Sequence, residues 1–239
     1  MAKPKATLGT RWMSETDIIA VLSKARSNRQ AQESLLGSLQ EKIERRRQAV
    51  DRSLIDIPAS QRTPVITKAL SGFRNELKRE SADTRLAYVR EAGRHAEQMK
   101  SVQSHYRSPV QMLARHTLGS ERRSRIIEQI ASSGPAELAS LAELAAATKD
   151  LELGAALCSR VVDLPRAERP FSTAELADAL VGEKHRTVSQ ALMEIDRLAV
   201  EAVHNDTGFE TGNHNAQRAL SIALMKRAEG DNDTQEEEI

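Results

Sequence analysis

Apolar residues near the N-terminus recur at alternating steps of three and four positions. The series is Ile18, Leu22, Ala25, Leu36, Leu39, Ile43 and Val50. This spacing places them on one face of an α-helix. Arg29, Gln32 and Arg46 share that face, so the heptad pattern is broken and is not that of a regular coiled coil. The pattern predicts one long amphipathic helix over 16–51, packed against partner helices at its two ends and solvated over 24–30.

Prolines and capping residues predict the remaining elements. Pro58 and Pro64 bracket a linker before a second long helix over 64–106, and Ser108 and Ser120 each precede a short helix. After the break at 132–135, we expect short helices over 135–148, 150–163, 172–182, 185–203 and 214–228. The predicted fold is all-α, with long N-terminal helices followed by a compact bundle of short ones.

The segment 172–200 has the pattern of a helix-turn-helix. Ser172 and Glu175 form a capping box, and Gly182 would open the turn. The second helix would then expose polar residues where recognition helices contact base edges, namely Lys184, His185, Arg186, Ser189 and Gln190. Thr211–Asn213 could close a small wing. Because a helix pair with a tight turn is also a common packing unit, and this half is acidic, DNA reading is the alternative interpretation.

Composition supports helices, and charge divides the chain in two. Hydrophobic residues make up 39% and aromatic residues 3%, which is typical of a lean core between helices. Residues 1–130 contain 25 Lys and Arg against 14 Asp and Glu, whereas residues 131–239 contain 10 against 20. The basic half could bind a polyanion such as nucleic acid, or the acidic half of a neighbouring copy or of another protein. Alternatively, long solvated helices simply carry many charges.

The same changes along the chain predict its domain organisation. We expect an extended basic arm over 1–13, a long-helix basic region over 14–131, a short-helix acidic domain over 135–229 and a flexible acidic tail over 230–239.

Candidate chemistry is sparse. The single cysteine, Cys158, lies among apolar residues and resembles a buried hydrophobe rather than a reactive thiol. His204 and His214 lie near acidic residues in a turn-rich segment, but lone histidines in loops seldom bind metal. No catalytic or phosphate-binding motif occurs, so we expect no enzyme activity, cofactor or metal. No apolar run would span a bilayer, so we expect no membrane contact. A single cysteine cannot form an internal disulfide, which favours an intracellular (cytoplasmic) or virion location.

These observations favour a non-enzymatic structural or assembly protein of a large complex. A bacteriophage virion component, from the head, neck or particle interior, is the specific hypothesis. Its partners would be other protein subunits, including copies of itself, and nucleic acid is a further candidate for the basic half. The contact residues would be Trp12, Ile18, Leu22, Leu36, Leu39, Ile43, Arg45, Arg46 and Arg47. The alternative is a DNA-binding regulator that uses the (winged) helix-turn-helix and dimerises through the N-terminal helix.

Overall fold

The computed structural model describes residues 13–212 and 215–234. In these two stretches the regular structure is helical, with no strand, so the predicted all-α class is confirmed. The elements are α1 (Glu15–Ser53), α2 (Ala59–Gln103), α3 (Pro109–His116), α4 (Glu121–Gln129), α5 (Pro135–Thr148), α6 (Leu151–Val162), a 3-10 turn (Arg166–Glu168), α7 (Thr173–Thr211) and α8 (Ala216–Thr234).

Capping serines begin the helices where the sequence predicts. The backbone N–H of Asp17 donates to Ser14 Oγ at 3.2 Å, and the Ser14 N–H donates back to Asp17 Oδ2 at 3.0 Å. The Ser14 hydroxyl also donates to Asp17 Oδ2 at 2.7 Å, and this bond, together with the one from the Ser14 N–H, lowers the pKa of the Asp17 carboxyl by favouring its charged form. Ser108 likewise accepts from the Gln111 N–H at 3.3 Å at the start of α3. Side chains satisfy N–H groups that the first helical turn leaves without partners.

The loop between α1 and α2 is closed by Arg62. Helix α2 begins at Ala59, earlier than predicted, and contains Pro64, whose missing N–H removes one helical hydrogen bond. The guanidinium of Arg62 donates to the carbonyls of Ile55 and Ile57. It therefore satisfies backbone acceptors that follow the end of α1.

Helix α7 is one continuous helix where the sequence pattern predicted two helices joined by a turn. Gly182 lies inside the helix, and the Asp178–Arg186 ion pair spans it at 3.5 Å. Val181 and Val188 are buried on the two sides of this glycine, so the apolar face continues past it. A glycine costs a helix about 1 kcal/mol, and burial of the continuous face outweighs that cost. The helix-turn-helix prediction is therefore corrected.

Helix α7 also runs through the predicted turn at Asn205–Gly208. It ends at Thr211, and Gly212 follows with φ of 74° in the left-handed region that favours glycine. The Gly212 N–H donates to the Gly208 carbonyl at 2.9 Å. Of the predicted wing, Asn213 lies outside the described residues, and Thr211 and Gly212 are not in a strand.

The chain divides into two compact units built from separated segments. The first contains Met99–Leu192 together with the chain up to Ile18, and the second contains Ile19–Gln98 together with the chain from Met193 onward. The composition change at 132–135 predicted consecutive domains instead. The boundaries between the two units fall inside the long helices α1, α2 and α7, and composition alone does not reveal such boundaries. The predicted basic arm, apart from Met13, and positions 235–239 of the predicted tail lie outside the described residues.

Helix α6 is central to the first unit. Helices α3, α4 and α5 all pack against it, and its Leu157 and Val161 side chains are fully buried. Gly154 allows the close approach of α6 to α7, because a Cβ at this position would lie 2.1 Å from Leu180 Cδ1. This unit supplies a conventional helical core.

The second unit brings together α1, α2, the C-terminal part of α7 and α8. Helices α1 and α2 are antiparallel, and Asn28 Nδ2 donates to the Tyr88 carbonyl at 3.0 Å. The fully buried Gln32 donates to the Ala202 carbonyl of α7 at 2.9 Å. Within 24–30, predicted to be solvated, Ala25 is buried and Asn28 and Arg29 are half-buried, whereas the other four residues are exposed. Polar positions on the α1 face bond to another helix of the same unit.

Candidate protein-interaction surface

Part of the charge asymmetry is neutralised within the second unit. Arg26 donates to both carboxylate oxygens of Glu194 at 2.8 and 2.6 Å, and Arg29 forms an ion pair with Glu201. The hydrogen bonds from Arg26 lower the pKa of the Glu194 carboxyl. Guanidinium groups of the basic half thus meet carboxylates of the acidic half of the same chain. The asymmetry therefore does not by itself require an external partner.

Glu201 is the centre of a buried charge cluster. Only 3% of this residue is exposed, and its carboxylate lies 2.9 Å from Arg197 Nη1 and 3.4 Å from Lys226 Nζ. Arg197 also pairs with Glu229 of α8 at 2.7 Å. Buried ion pairs contribute less to stability than to the choice of which helix faces meet, because desolvation offsets their attraction. Here they connect α1, α7 and α8.

A second cluster directs α7 toward α2. The Arg85 guanidinium is buried and lies 2.5 Å from Asp206 and 2.6 Å from Glu210. It also lies over the Phe209 ring, 5.0 Å from the centroid. Lys78 Nζ donates to the Glu210 carbonyl at 2.5 Å. Helix α7 thus presents carboxylates to cations of both α1 and α2, and it lies in the groove between them.

Sequence reasoning missed this intramolecular pairing. Arg29 and Gln32 interrupt the apolar face of α1, and the spacing alone indicates breaks in a partner-binding stripe. Their occurrence at helical spacing on an otherwise apolar face was the available signal. Their partners, Glu201 and Ala202, lie about 170 positions away in the sequence. Only the tertiary fold brings these positions together.

Three of the predicted partner-binding residues are buried by the chain itself. Ile18, Leu22 and Leu39 have almost no exposed surface. They do not form a free surface, which corrects the expectation that the whole stripe needs another subunit. Trp12, predicted beside them, lies outside the described residues.

The C-terminal part of α1, the loop and the N-terminal part of α2 are less buried than the rest of these helices. We refer to residues 41–76 as the distal hairpin. Of its described side chains, only Leu70 is buried. Ile43, Val50 and Phe73 along the seam between the two helices are half-buried. Two helices alone cannot enclose such a seam, so the distal hairpin has apolar surface that a third helix could cover.

An open groove of about 1050 Å³ lies at the base of the distal hairpin. Leu36 and Ile43 of α1, Arg74 of α2 and Phe209 near the end of α7 are among its lining residues. Helix α7 ends before Gly212, whereas α1 and α2 continue past it. The groove is therefore the continuation of the space that α7 fills in the rest of the unit.

The predicted arginine cluster lies on this hairpin and is exposed. Arg45 pairs with Glu41 at 3.2 Å, and Arg47 pairs with Glu44 at 3.7 Å. Arg46 lies over the ring of Phe73, with its guanidinium carbon 5.9 Å from the centroid. Exposed pairs of this kind contribute about 0–1 kcal/mol, so they do little to hold the hairpin together.

Positive charge predominates on the distal hairpin. Residues 41–76 contain eight Lys and Arg against five Asp and Glu. Lys42, Arg52, Lys68 and Arg74 are exposed, and none of them forms an ion pair with a carboxylate in the described part of the chain. The surface combines an uncovered apolar seam with unpaired cations, which suits a partner that is both apolar and acidic.

The predicted nucleic-acid-binding residues all lie within the continuous helix α7. Lys184 and Arg186 are exposed, whereas Ser189 and Gln190 are half-buried. His185 Nε2 lies 2.9 Å from the Tyr106 carbonyl, which favours the tautomer that donates from this nitrogen. With no turn at Gly182, these side chains do not lie on the separate recognition helix of a helix-turn-helix.

The rest of the described chain offers little chemistry. No group of three or more His, Cys, Asp and Glu side chains is placed to hold a metal ion in residues 13–212 and 215–234, and His214 is not among them. Burial raises the pKa of the Cys158 thiol to about 11, which disfavours the reactive thiolate. None of the described helices combines the length and the apolar character that crossing a membrane requires.

Comparisons with protein-family models, with curated proteins and with solved structures found no match to this chain.

Proposed function

We propose that this protein is a non-enzymatic assembly component that binds another protein subunit through the distal hairpin. The observation that carries the proposal is the apolar seam between α1 and α2, which α7 covers only as far as Gly212. Beyond that point, Ile43, Val50 and Phe73 stay partly exposed. Burying apolar area is favourable by about 25 cal/mol per Å², so a third helix supplied by a partner would be stabilised there.

The surface is narrower than the one predicted from sequence. It retains Leu36, Ile43 and Arg45–Arg47 and excludes the buried Ile18, Leu22 and Leu39. The more specific hypothesis, a bacteriophage virion component, stays a prediction, because the hairpin would suit any assembly of protein subunits. The alternative of a DNA-binding regulator has lost the helix-turn-helix on which it depended.

Site-specific photo-cross-linking in cells that make the protein tests this proposal. A photoreactive amino acid is placed at Ile55, which is 70% exposed at the turn of the distal hairpin, or at Leu118. Leu118 is the matched control, because it is 77% exposed but lies in the first unit. We expect a discrete protein adduct from position 55 and none from position 118.

The adduct should also decrease when Ile43 is replaced by aspartate, because a charge in the groove opposes an apolar contact. Equal adducts at both positions, or no protein adduct at position 55, would contradict the proposed function. Cross-linking at position 55 to nucleic acid alone would contradict it as well.

A further inference from the structure

We infer that the partner binds the distal hairpin with an acidic amphipathic helix that lies in the groove as a continuation of α7. This inference rests on the proposed function and adds the chemistry of the binding element. It follows from three properties of the second unit: the charge pattern of α7, the length of the uncovered groove and the unpaired cations beside it.

Helix α7 shows what kind of helix this groove accepts. Its Glu194 and Glu201 pair with Arg26 and Arg29 of α1, and its Asp206 pairs with Arg85 of α2. Between these contacts its apolar residues, including Ile195, Leu198 and Ala202, are buried. The helix that occupies the covered part of the groove therefore has an apolar face bordered by carboxylates.

The uncovered part of the groove is long enough for a further short helix. Past the end of α7, helix α1 continues from Ile43 to Ser53, and α2 runs back alongside it. At about 1.5 Å per residue, this stretch is about 16 Å long, or about three helical turns. Leu36, Ile43 and Phe209 are the apolar residues that line its start. Val50 of α1 and Ile66 of α2, which lie beyond these lining residues along their own helices, are half-buried.

The charges beside the groove favour an acidic occupant. Three α1 carboxylates line the groove, those of Glu33, Glu41 and Glu44, and each is paired with an arginine of its own helix. On the α2 side, Arg74 lines the groove, and Lys68 lies farther along the same helix. Neither cation has a carboxylate partner in the described structure. An incoming helix with acidic residues would pair with them, as α7 does with Arg85.

Helix α8 does not supply this occupant, although it is in the same unit. Its Lys226 and Glu229 pair with Glu201 and Arg197 of α7. These contacts hold α8 beside the part of α7 that precedes the groove. We therefore assign the occupant to a different protein.

A peptide-binding experiment with the full chain tests the inference. The probe is a labelled synthetic peptide of about four helical turns, with Leu at alternating steps of three and four and Glu at the solvent-facing positions. The matched probe carries Lys in place of every Glu. We expect fluorescence anisotropy to show binding of the acidic peptide and at least about tenfold weaker binding of the basic one.

Three variants localise the binding. Arg74→Glu should weaken binding of the acidic peptide by at least about tenfold, because it reverses the sign of an unpaired cation. Ile43→Asp should weaken it by a similar factor, because it places a charge among the apolar residues that line the groove. Leu144→Asp, at an exposed position of α5, is the control and should bind normally. Arg74 is exposed, so its replacement tests the inference even if Ile43→Asp impairs folding.

Each other outcome overturns the inference. Equal affinity for the two peptides, or binding that Arg74→Glu leaves unchanged, would show that the groove does not select an acidic helix. Self-association of the chain that Arg74→Glu abolishes, without peptide binding, would identify a second copy as the occupant. Competition by duplex DNA at the same residues would identify nucleic acid instead. A protein adduct at position 55 without peptide binding would leave the proposed function standing and remove only this inference.

Discussion

Replacing Glu201 by glutamine tests whether the buried charges hold the second unit together. Removing one partner from a buried ion pair costs about 3–5 kcal/mol, because the other charge stays buried without compensation. Two features reduce the cost here. Arg29 retains Glu33 at 2.6 Å, and Arg197 retains Glu229 at 2.7 Å. The Arg29 side chain is also 22% exposed, so water partly screens it. We therefore expect Glu201→Gln to lower the free energy of unfolding by about 2–3 kcal/mol.

Thermal unfolding followed by circular dichroism measures this effect. For a protein of this size the loss corresponds to a decrease in Tm of about 5–10 °C. Glu41→Gln is the control, because the Glu41 side chain is 70% exposed in its pair with Arg45 and its removal should cost less than about 0.5 kcal/mol. The Glu201→Gln effect should persist at about 1 M salt, since buried pairs are weakly screened. A change no larger than that of the control would refute the reasoning, as would an effect that salt abolishes.

Three further predictions concern the first unit. Arg122 pairs with Asp150 and Glu152, and the pKa values of both carboxyls are lowered. Both carboxylates therefore stabilise the fold fully above their ordinary pKa values of about 4, and this stabilisation is lost as the pH falls below them. Asp150→Asn should make Tm depend less steeply on pH in the acidic range. The thiol of Cys158, with its pKa of about 11, should react with iodoacetamide only after denaturant is added, as mass spectrometry would show. Gly154→Val should lower the free energy of unfolding by about 1–3 kcal/mol in urea titrations, because its side chain would overlap α7.

Local signals predicted helix starts well. Ser14 and Ser108 cap their helices through hydrogen bonds that any sequence reader can anticipate, because the donors lie three positions away. The prediction of a helix break at Gly182 was wrong because local signals do not include the energy of tertiary packing. A glycine weakens a helix by a known amount, but Val181 and Val188 are buried on both sides of it, and only tertiary packing supplies that energy.

The interaction surface was predictable only in part. Apolar spacing identified the α1 face, yet it did not separate Leu39, which other helices cover, from Ile43, which they leave half-exposed. That distinction depends on where α7 ends, at Thr211, relative to α1, which is far away in the sequence. Arg29 likewise interrupts the apolar stripe in the sequence, whereas in the fold it pairs with Glu201. Periodicity identifies a face, and the fold determines what covers it.

The central claim is that the groove at the base of the distal hairpin is open to an acidic helix from another protein. Hydrogen exchange of the full chain with and without the acidic peptide tests it most directly. We predict that the peptide slows exchange of amides within 41–53 and 61–76 and leaves α5, α6 and α8 unchanged. Slower exchange confined to α8 or to the first unit, or no change at a saturating peptide concentration, would contradict it.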